Sequence, residues 1–143
     1  MTKLYSLITI VCVGFGIIMC HPQFYSLVPN SMKVPYTCPG AGPNDTFPRI
    51  GHWPNLFERN PFGKSFSHNW TEICDLDPDN DNRTSGEELG DPGCQWIQND
   101  VSTHKYIIEA ASNPGIPEVL IDGKYVVMDE FRDRACPVVF FLF

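Results

Sequence analysis

The chain has 143 residues, a length typical of one domain, and its formal net charge is −7. Seven of its 17 acidic residues fall between Asp75 and Asp91, so the negative charge is concentrated in one segment. This charge argues against nucleic acid or an anionic membrane as a partner, because both repel an acidic surface.

Residues 1–20 are predicted to be a secretory signal peptide. Lys3 precedes the apolar run Leu4–Met19, and Cys20 supplies a small residue before the expected new N-terminus at His21. A membrane anchor is the alternative, but the apolar run is shorter than the ~20 residues that span a bilayer. We therefore expect a secreted, extracellular mature chain that does not insert into membranes.

Cleavage would remove Cys12 and Cys20 and leave an even number of the six cysteines. In an oxidising compartment this predicts two disulfides, formed by Cys38, Cys74, Cys94 and Cys136. Sequons for N-glycosylation begin at Asn44, Asn69 and Asn82. We expect glycans on Asn44 and Asn69, but not on Asn82, which lies inside the acidic segment, where a glycan would compete with a bound ion.

The 13 prolines and 11 glycines interrupt most runs and predict short elements. Extended segments are expected at Phe24–Val34 and Arg49–Trp53, and single helical turns at Trp70–Cys74 and Ser85–Leu89. The longest predicted helix is Thr103–Ala111.

The clearest hairpin pattern follows that helix. Val119–Ile121 leads into Asp122-Gly123, a dipeptide suited to a type I′ turn, and Tyr125–Val127 leads back. The final apolar run, Pro137–Phe143, is too short for a membrane span. It fits a buried last strand or an accident of where the sequence ends, and neither interpretation is favoured.

The segment Asp77–Glu88 has the ligand spacing of an EF-hand calcium loop. The predicted ligands, at positions 1, 3, 5, 7, 9 and 12, are Asp77, Asp79, Asp81, the Arg83 carbonyl, Ser85 and Glu88. Position 6, usually glycine, is Asn82, which adopts left-handed backbone angles more readily than most residues. Calcium suits this pattern because it takes 6–8 oxygen ligands and Glu88 can supply two of them.

The same segment also fits a solvated acidic loop before a short helix. Ser85 would then be the N-cap and Glu88 would close a capping box. Repulsion among the carboxylates, offset only by Arg83, favours the calcium interpretation. Asp91 and Glu87 nearby are interpreted as supports for the ligands or as a solvated face, rather than as an acid–base pair.

Further segments follow one another in a specific order. They are FYSLVPNSMKVPYTC at residues 24–38, Gly51-His52, NPFGKSF at 60–66, NWTEIC at 69–74 and the acidic run ending in TSGEELGDPGCQW at 84–96. In this order they resemble the temptin family of secreted proteins, over about residues 22–97. The resemblance implies a water-borne pheromone component that acts with peptide attractants. It also implies calcium bound by Asp77, Asp79, Asp81 and Glu88, and family cysteines at Cys38, Cys74 and Cys94.

Four cysteines allow three disulfide pairings. We favour Cys74 with Cys94, because that bridge would close the chain around the calcium loop, and Cys38 with Cys136 then follows. Linking Cys38 to Cys94 would equally tie the N-terminal segment to the loop, so that alternative stays open.

An enzymatic interpretation is weaker. His21 as a new N-terminus could bind copper through its amine and imidazole, with His52, His68 or His104 as a further ligand. These histidines have no recognisable metal spacing to one another. The sequence also lacks the GxSxG and HExxH motifs of hydrolases, so we predict no enzymatic activity.

Together these patterns predict a small α+β, largely irregular, disulfide-rich domain, with short helices around the calcium loop and a C-terminal hairpin. Residues 21–99 would form the temptin-like domain, and residues 100–143 an extension of helix and hairpin that packs on it. The aromatic residues expected to fill its core, rather than to line a ligand surface, are Trp53, Phe57, Phe62, Phe66 and Trp70. The predicted partners are secreted peptides or proteins, or a cell-surface receptor. A matrix or adhesion module is the alternative.

Overall fold

A computed structural model describes residues 22–54 and 58–136 of the chain. The predicted signal peptide, His21, Phe57 and the apolar run Pro137–Phe143 lie outside the described residues. The α-helices are α1 (Pro61–Ser65), α2 (Trp70–Ile73), α3 (Ser85–Leu89) and α4 (Arg132–Ala135), and the strands are β1 (Glu118–Ile121) and β2 (Lys124–Val127). The 3₁₀ helices are Pro22–Leu27, Val101–Tyr106 and Asp129–Phe131.

The short helices begin where side chains can cap them. The Asn60 side chain accepts from the Gly63 amide at the start of α1, where Pro61 occupies the first turn. Asn69 caps α2 in the same way, through the Thr71 amide. α2 and α3 form at the two places where the sequence predicts single helical turns.

The C-terminal hairpin confirms its sequence prediction. β1 and β2 pair antiparallel, with Glu118 opposite Val127 and Ile121 opposite Lys124. Both turn residues have positive φ, 50° at Asp122 and 77° at Gly123, as a type I′ turn requires.

Two of the remaining predictions of secondary structure are wrong. The predicted helix Thr103–Ala111 is replaced by the 3₁₀ helix Val101–Tyr106, and the chain beyond it bonds to a different element. The Ile108 amide donates to the Gly90 carbonyl at 2.8 Å and the Ala111 amide to the Glu88 carbonyl at 2.8 Å. These long-range bonds use the amides that a continuing helix would need. The predicted extended segment Phe24–Val34 instead starts with the 3₁₀ helix Pro22–Leu27.

Apolar side chains from most of the described chain form the core. Trp53, Phe62 and Trp70 are buried, and Phe66 packs against them as a partly buried ring. This confirms the core role predicted for these four aromatic residues. None of the helices in the described segments is long and apolar enough to cross a membrane.

Two disulfides hold this core, Cys74–Cys94 and Cys38–Cys136. This is the pairing that the sequence analysis favoured. The first bridge closes the chain around α3 and the acidic segment before it. A Cβ on Gly86 would lie 2.6 Å from both the Asp91 carbonyl oxygen and the Cys74 Sγ. Only glycine therefore fits where α3 packs on this bridge.

Candidate metal centre

The acidic segment folds as a tight loop around the side chain of Asp77. The amides of Asn80 and Asn82 donate to its two carboxylate oxygens, at 2.8 and 3.0 Å. Asn82 has a φ of 72°, the left-handed conformation that the sequence analysis expected at loop position 6. Carboxylate oxygens of Asp77, Asp79 and Asp81 come within 4.8 Å of one another. The loop therefore gathers three predicted ligands in one place.

Asp79 and Asp81 point inward. Their Oδ1 atoms accept from the backbone amides of Asp81 and Arg83, at 3.3 and 3.0 Å. Oδ2 of Asp81 accepts from the Glu118 amide at 3.3 Å. Oδ2 of Asp79 is buried and has no hydrogen-bond partner. A buried carboxylate oxygen without a donor is costly unless a cation neutralises it.

Glu88 is fully buried on α3. Its Oε1 accepts from the Ser112 hydroxyl at 2.9 Å, and its Oε2 is buried without a hydrogen-bond partner. The capping box that begins α3 is formed by Thr84 and Glu87, so the alternative with Ser85 as N-cap and Glu88 closing the box is wrong. The shift of one residue leaves Glu88 free to project into the interior.

The other two predicted ligands are placed as follows. The Ser85 side chain is buried, and its hydroxyl donates to the Leu76 carbonyl at 3.2 Å. The Arg83 guanidinium donates to the Ser112 hydroxyl and to the Glu87 carbonyl, and lies 4.0 Å from the centroid of the Tyr125 ring. The Arg83 side chain therefore contacts residues around the site, and only the backbone carbonyl of Arg83 is predicted to contact an ion.

Glu118 is an acidic residue of this site that the sequence analysis missed. It lies at the start of β1, and its carboxylate accepts from the Thr37 hydroxyl and, at 3.2 Å, from the Asn113 amide. Its backbone amide donates to Asp81, as described above. The sequence feature that could have identified Glu118 is its position as a single acidic residue directly before the apolar run Val119–Ile121.

Burial and mutual repulsion disfavour the charged forms of these carboxyls. Desolvation, followed by the charges of Asp79 and Asp81, raises the pKa of Glu88 to about 10. Desolvation and then Asp81 raise the pKa of Asp79 to about 7. Desolvation raises the pKa of Glu118 to about 8, although its hydrogen bonds oppose the shift, and it also raises the pKa of Asp81. These carboxyls together with Asp77 are called the acidic cluster below. The cluster can take up positive charge, either as protons or as a cation.

The donor set fits a hard divalent cation. It consists of carboxylate oxygens, two of which, on Asp79 and Glu88, are buried without a partner. Oxygen donors from a short loop and one following glutamate are the chemistry that calcium selects.

Asp91 has a structural role, which corrects its interpretation as a ligand support or part of a solvated face. It is buried and accepts from the Trp70 indole N–H at 2.7 Å and from the amides of Gln95 and Trp96 at 2.9 and 3.0 Å. Glu87, in contrast, is exposed and closes the capping box of α3.

The remaining candidate residues lie apart from the acidic cluster. His52 is half-buried, and burial followed by Arg49 and Arg59 lowers its pKa. His68 and His104 are exposed. The two asparagines predicted to carry glycans, Asn44 and Asn69, are exposed as well, so glycosylation at these positions stays a prediction.

The raised pKa values predict how stability depends on pH when no cation is bound. A carboxyl whose pKa is higher in the folded state binds its proton more tightly there than in the unfolded chain. Its stabilising effect is full below the unfolded pKa, 3.8 for Asp79 and 4.5 for Glu118, and is lost as pH rises through about 7 and about 8.

We therefore expect chelator-treated protein to lose several kcal/mol of unfolding free energy between pH 5 and pH 8, because each carboxyl that is protonated only in the folded state contributes about 1.4 kcal/mol per pH unit. Urea denaturation at the two pH values measures this difference. An unfolding free energy that rises with pH in the chelated protein would contradict the assigned shifts.

Comparison with known proteins relates these residues to a family. Residues 18–116 match the sequence profile described as Temptin C-terminal. The chain is 33% identical over 107 residues to Temptin of Aplysia californica, an alignment that covers 71% of this chain and 81% of that protein. No solved structure matches the chain significantly. The matched range contains the acidic loop and α3, and it extends past residue 97 to include Ser112 and Asn113.

Proposed function

Because the chain belongs to the temptin family, we propose that it is a secreted, calcium-binding signalling protein that acts through contacts with other proteins. The disulfides between Cys38 and Cys136 and between Cys74 and Cys94 support an extracellular location, because such bonds persist in oxidising compartments. No catalytic reaction is part of this proposal.

The observation that carries the calcium proposal is the pair of buried carboxylate oxygens without hydrogen-bond partners, Asp79 Oδ2 and Glu88 Oε2. Asp77, Asp79, Asp81 and Glu88 would hold the ion through side chains, and Arg83 and Ser85 occupy the remaining ligand positions of the spacing. A bound calcium ion would supply the positive charge that allows these carboxyls to ionise inside the protein.

The ion would also organise the chain around it. Ser112 and Glu118, which contact Glu88 and Asp81, belong to the segment that leads into the C-terminal hairpin. Neutralising the cluster would remove the repulsion between the loop and this segment. We infer that calcium in the extracellular medium keeps the protein in its folded, partner-binding form.

The pheromone role follows from family membership. A temptin-like protein of this kind would act together with secreted peptides or proteins, or with a cell-surface receptor. Affinity capture from conditioned medium of the source tissue, with and without calcium, tests this role. We expect discrete partners that are recovered only with calcium. Recovery of the same partners in equal amounts in chelator would show that partner binding does not depend on calcium.

Calorimetric titration of the mature protein with calcium tests the ion site itself. We expect one site and, because Glu88 has a pKa of about 10 without the ion, release of about one proton or more per calcium at pH 7. Titrations in two buffers with different ionisation enthalpies measure this release, since the apparent heat then differs between them. Heats equal to dilution at millimolar calcium would refute the site.

A further inference from the structure

The C-terminal hairpin carries exposed apolar side chains. Val119, Leu120 and Ile121 of β1 are 41%, 57% and 50% exposed, and Val126 of β2 is half-buried. Val126 lies opposite Val119, and side chains alternate along a strand, so Val119, Ile121 and Val126 share one face of the hairpin. A hairpin of only two strands is marginally stable in water, and a third strand that extends an apolar face stabilises it.

The outer edge of β1 faces the acidic cluster. Glu118 and Val127 lie opposite each other. The cross-strand bond next to this pair runs from the Met128 amide to the Pro117 carbonyl, so the amides of Glu118 and Val127 point away from the partner strand. The Glu118 amide donates to Asp81 at 3.3 Å. An apolar strand added to this edge would remove water from the neighbouring carboxylates, which is costly.

The outer edge of β2 is open toward the turn. At its base, the Val127 amide donates to the Thr37 carbonyl at 3.5 Å. Tyr125 presents its amide and carbonyl on the same side, because outward-pointing groups recur at every second residue of a strand. Within the described segments, neither group pairs with another backbone group. Unpaired edge groups of this kind can accept an added strand.

The apolar run Pro137–Phe143, which lies outside the described residues, begins close to this edge. It follows Cys136, whose Cα lies 5.5 Å from the Cα of Cys38. Cys38 directly follows Thr37, the residue that contacts Val127. Seven extended residues reach about 23 Å, whereas the four residues of β2 span about 13 Å. The run is therefore long enough to follow β2 from its base to the turn.

The composition of this run suits a strand at that edge. Its sequence is PVVFFLF, which has no polar or charged side chain and has valine or phenylalanine at five of its seven positions. Both residue types favour strands. Pro137 has no amide hydrogen to donate, and proline is tolerated as the first residue of a strand. An apolar run of this kind promotes aggregation when it is exposed, so pairing it within the chain would protect the protein.

We propose that residues 138–143 form a third strand on the outer edge of β2, antiparallel to it. The strand would exchange hydrogen bonds with the amide and carbonyl of Tyr125. Its phenylalanine rings would pack over Val126 and extend the apolar face of the hairpin. The bridge between Cys38 and Cys136 would hold the start of the strand at the base of the hairpin. This pairing does not depend on the proposed calcium site or on the proposed signalling role.

Amide hydrogen exchange measured by NMR tests the proposal, on the mature, disulfide-bonded protein and on a variant that ends at Cys136. We expect the Tyr125 amide to exchange at least about tenfold faster in the shortened variant, because it loses its partner strand. Leu120 is the matched control, since its amide points outward on the other edge of the hairpin, and its exchange should be equal in both proteins. The Cys74 amide, which donates to the Trp70 carbonyl, reports whether the shortened chain is folded.

A full-length variant with Phe140→Asp and Phe141→Asp decides the question if the shortened chain does not fold. It should accelerate exchange at Tyr125 by about tenfold or more and leave Leu120 unchanged. Exchange at Tyr125 that neither variant alters would overturn the proposal, as would protection of Leu120 instead of Tyr125 in the wild type. Protection of Tyr125 that increases with protein concentration, together with a dimer mass in sedimentation, would also overturn it and assign this edge to a second copy of the chain.

Discussion

Glu88→Gln should remove calcium binding while making the metal-free protein more stable at pH 7. The substitution keeps the shape of the side chain and the acceptor for the Ser112 hydroxyl. It removes the negative charge and the second oxygen that a closing glutamate offers to calcium, so we expect affinity to fall about 100-fold or more. Calorimetry and thermal unfolding with and without calcium measure both effects.

The metal-free stability is the more specific part of this prediction. The pKa of Glu88 is about 10 in the folded protein without the ion, so at pH 7 its carboxyl is neutral and resembles the glutamine amide. In the unfolded chain at pH 7 the same carboxyl is ionised, so folding of the wild type must protonate it, and glutamine avoids this cost. The chelated variant should therefore be more stable than the chelated wild type by on the order of 3 kcal/mol at pH 7, and the difference should disappear near pH 4. In the wild type, calcium at 100 times its dissociation constant should add about 2.7 kcal/mol, and in the variant almost none.

Glu87→Gln provides the matched control one residue away. Glu87 is exposed and its carboxylate closes the capping box of α3. Its substitution should cost about 1 kcal/mol or less of stability and leave calcium affinity within about twofold. If calcium stabilises the Glu88→Gln variant as strongly as the wild type, Glu88 is not a ligand.

Local sequence patterns predicted the features that local backbone chemistry decides. Asp122-Gly123 specifies its turn whatever surrounds it, because two successive positive φ angles strongly favour such residues. The helical turns at Trp70 and Ser85 follow from capping residues next to apolar ones. The acidic spacing predicted that Asp77, Asp79 and Asp81 share one loop, because alternate residues of a tight loop turn inward.

The parts that the sequence did not predict depend on contacts between distant residues. Glu88 meets Ser112, 24 residues away, and Asp81 meets Glu118, 37 residues away. No periodic pattern encodes such pairs. The predicted helix Thr103–Ala111 failed for the same reason, since its second half bonds to the end of α3. The capping box moved by one residue because Thr84 and Glu87 fit the same motif as Ser85 and Glu88.

These long-range contacts give the C-terminal part of the chain a role at the acidic loop. Thr37, Asn113 and Glu118 form one hydrogen-bonded group beside Asp81. Thr37 directly precedes Cys38, which is bonded to Cys136. The disulfide therefore ties the segment that carries Thr37 to the residue that ends α4.

Loss of the Cys38–Cys136 bridge should accordingly have the largest effect on stability of any change considered for this protein. The cysteines it joins are 98 residues apart, against 20 for Cys74 and Cys94. In the loop-entropy account, closing about 100 residues contributes about 4.7 kcal/mol and closing 15 residues about 3 kcal/mol. A domain of this size has only about 5–15 kcal/mol of stability in total.

We expect the double variant Cys38→Ala with Cys136→Ala to be largely unfolded in chelator and to regain structure only at high calcium. Cys74→Ala with Cys94→Ala should remain folded in calcium, and alanine leaves no unpaired polar group at either site. Urea denaturation of both variants and the wild type, in calcium and in chelator, ranks the two bridges. Equal losses, or a larger loss from Cys74 and Cys94, would contradict this order and indicate that closure around the acidic loop matters more than the connection between the ends of the chain.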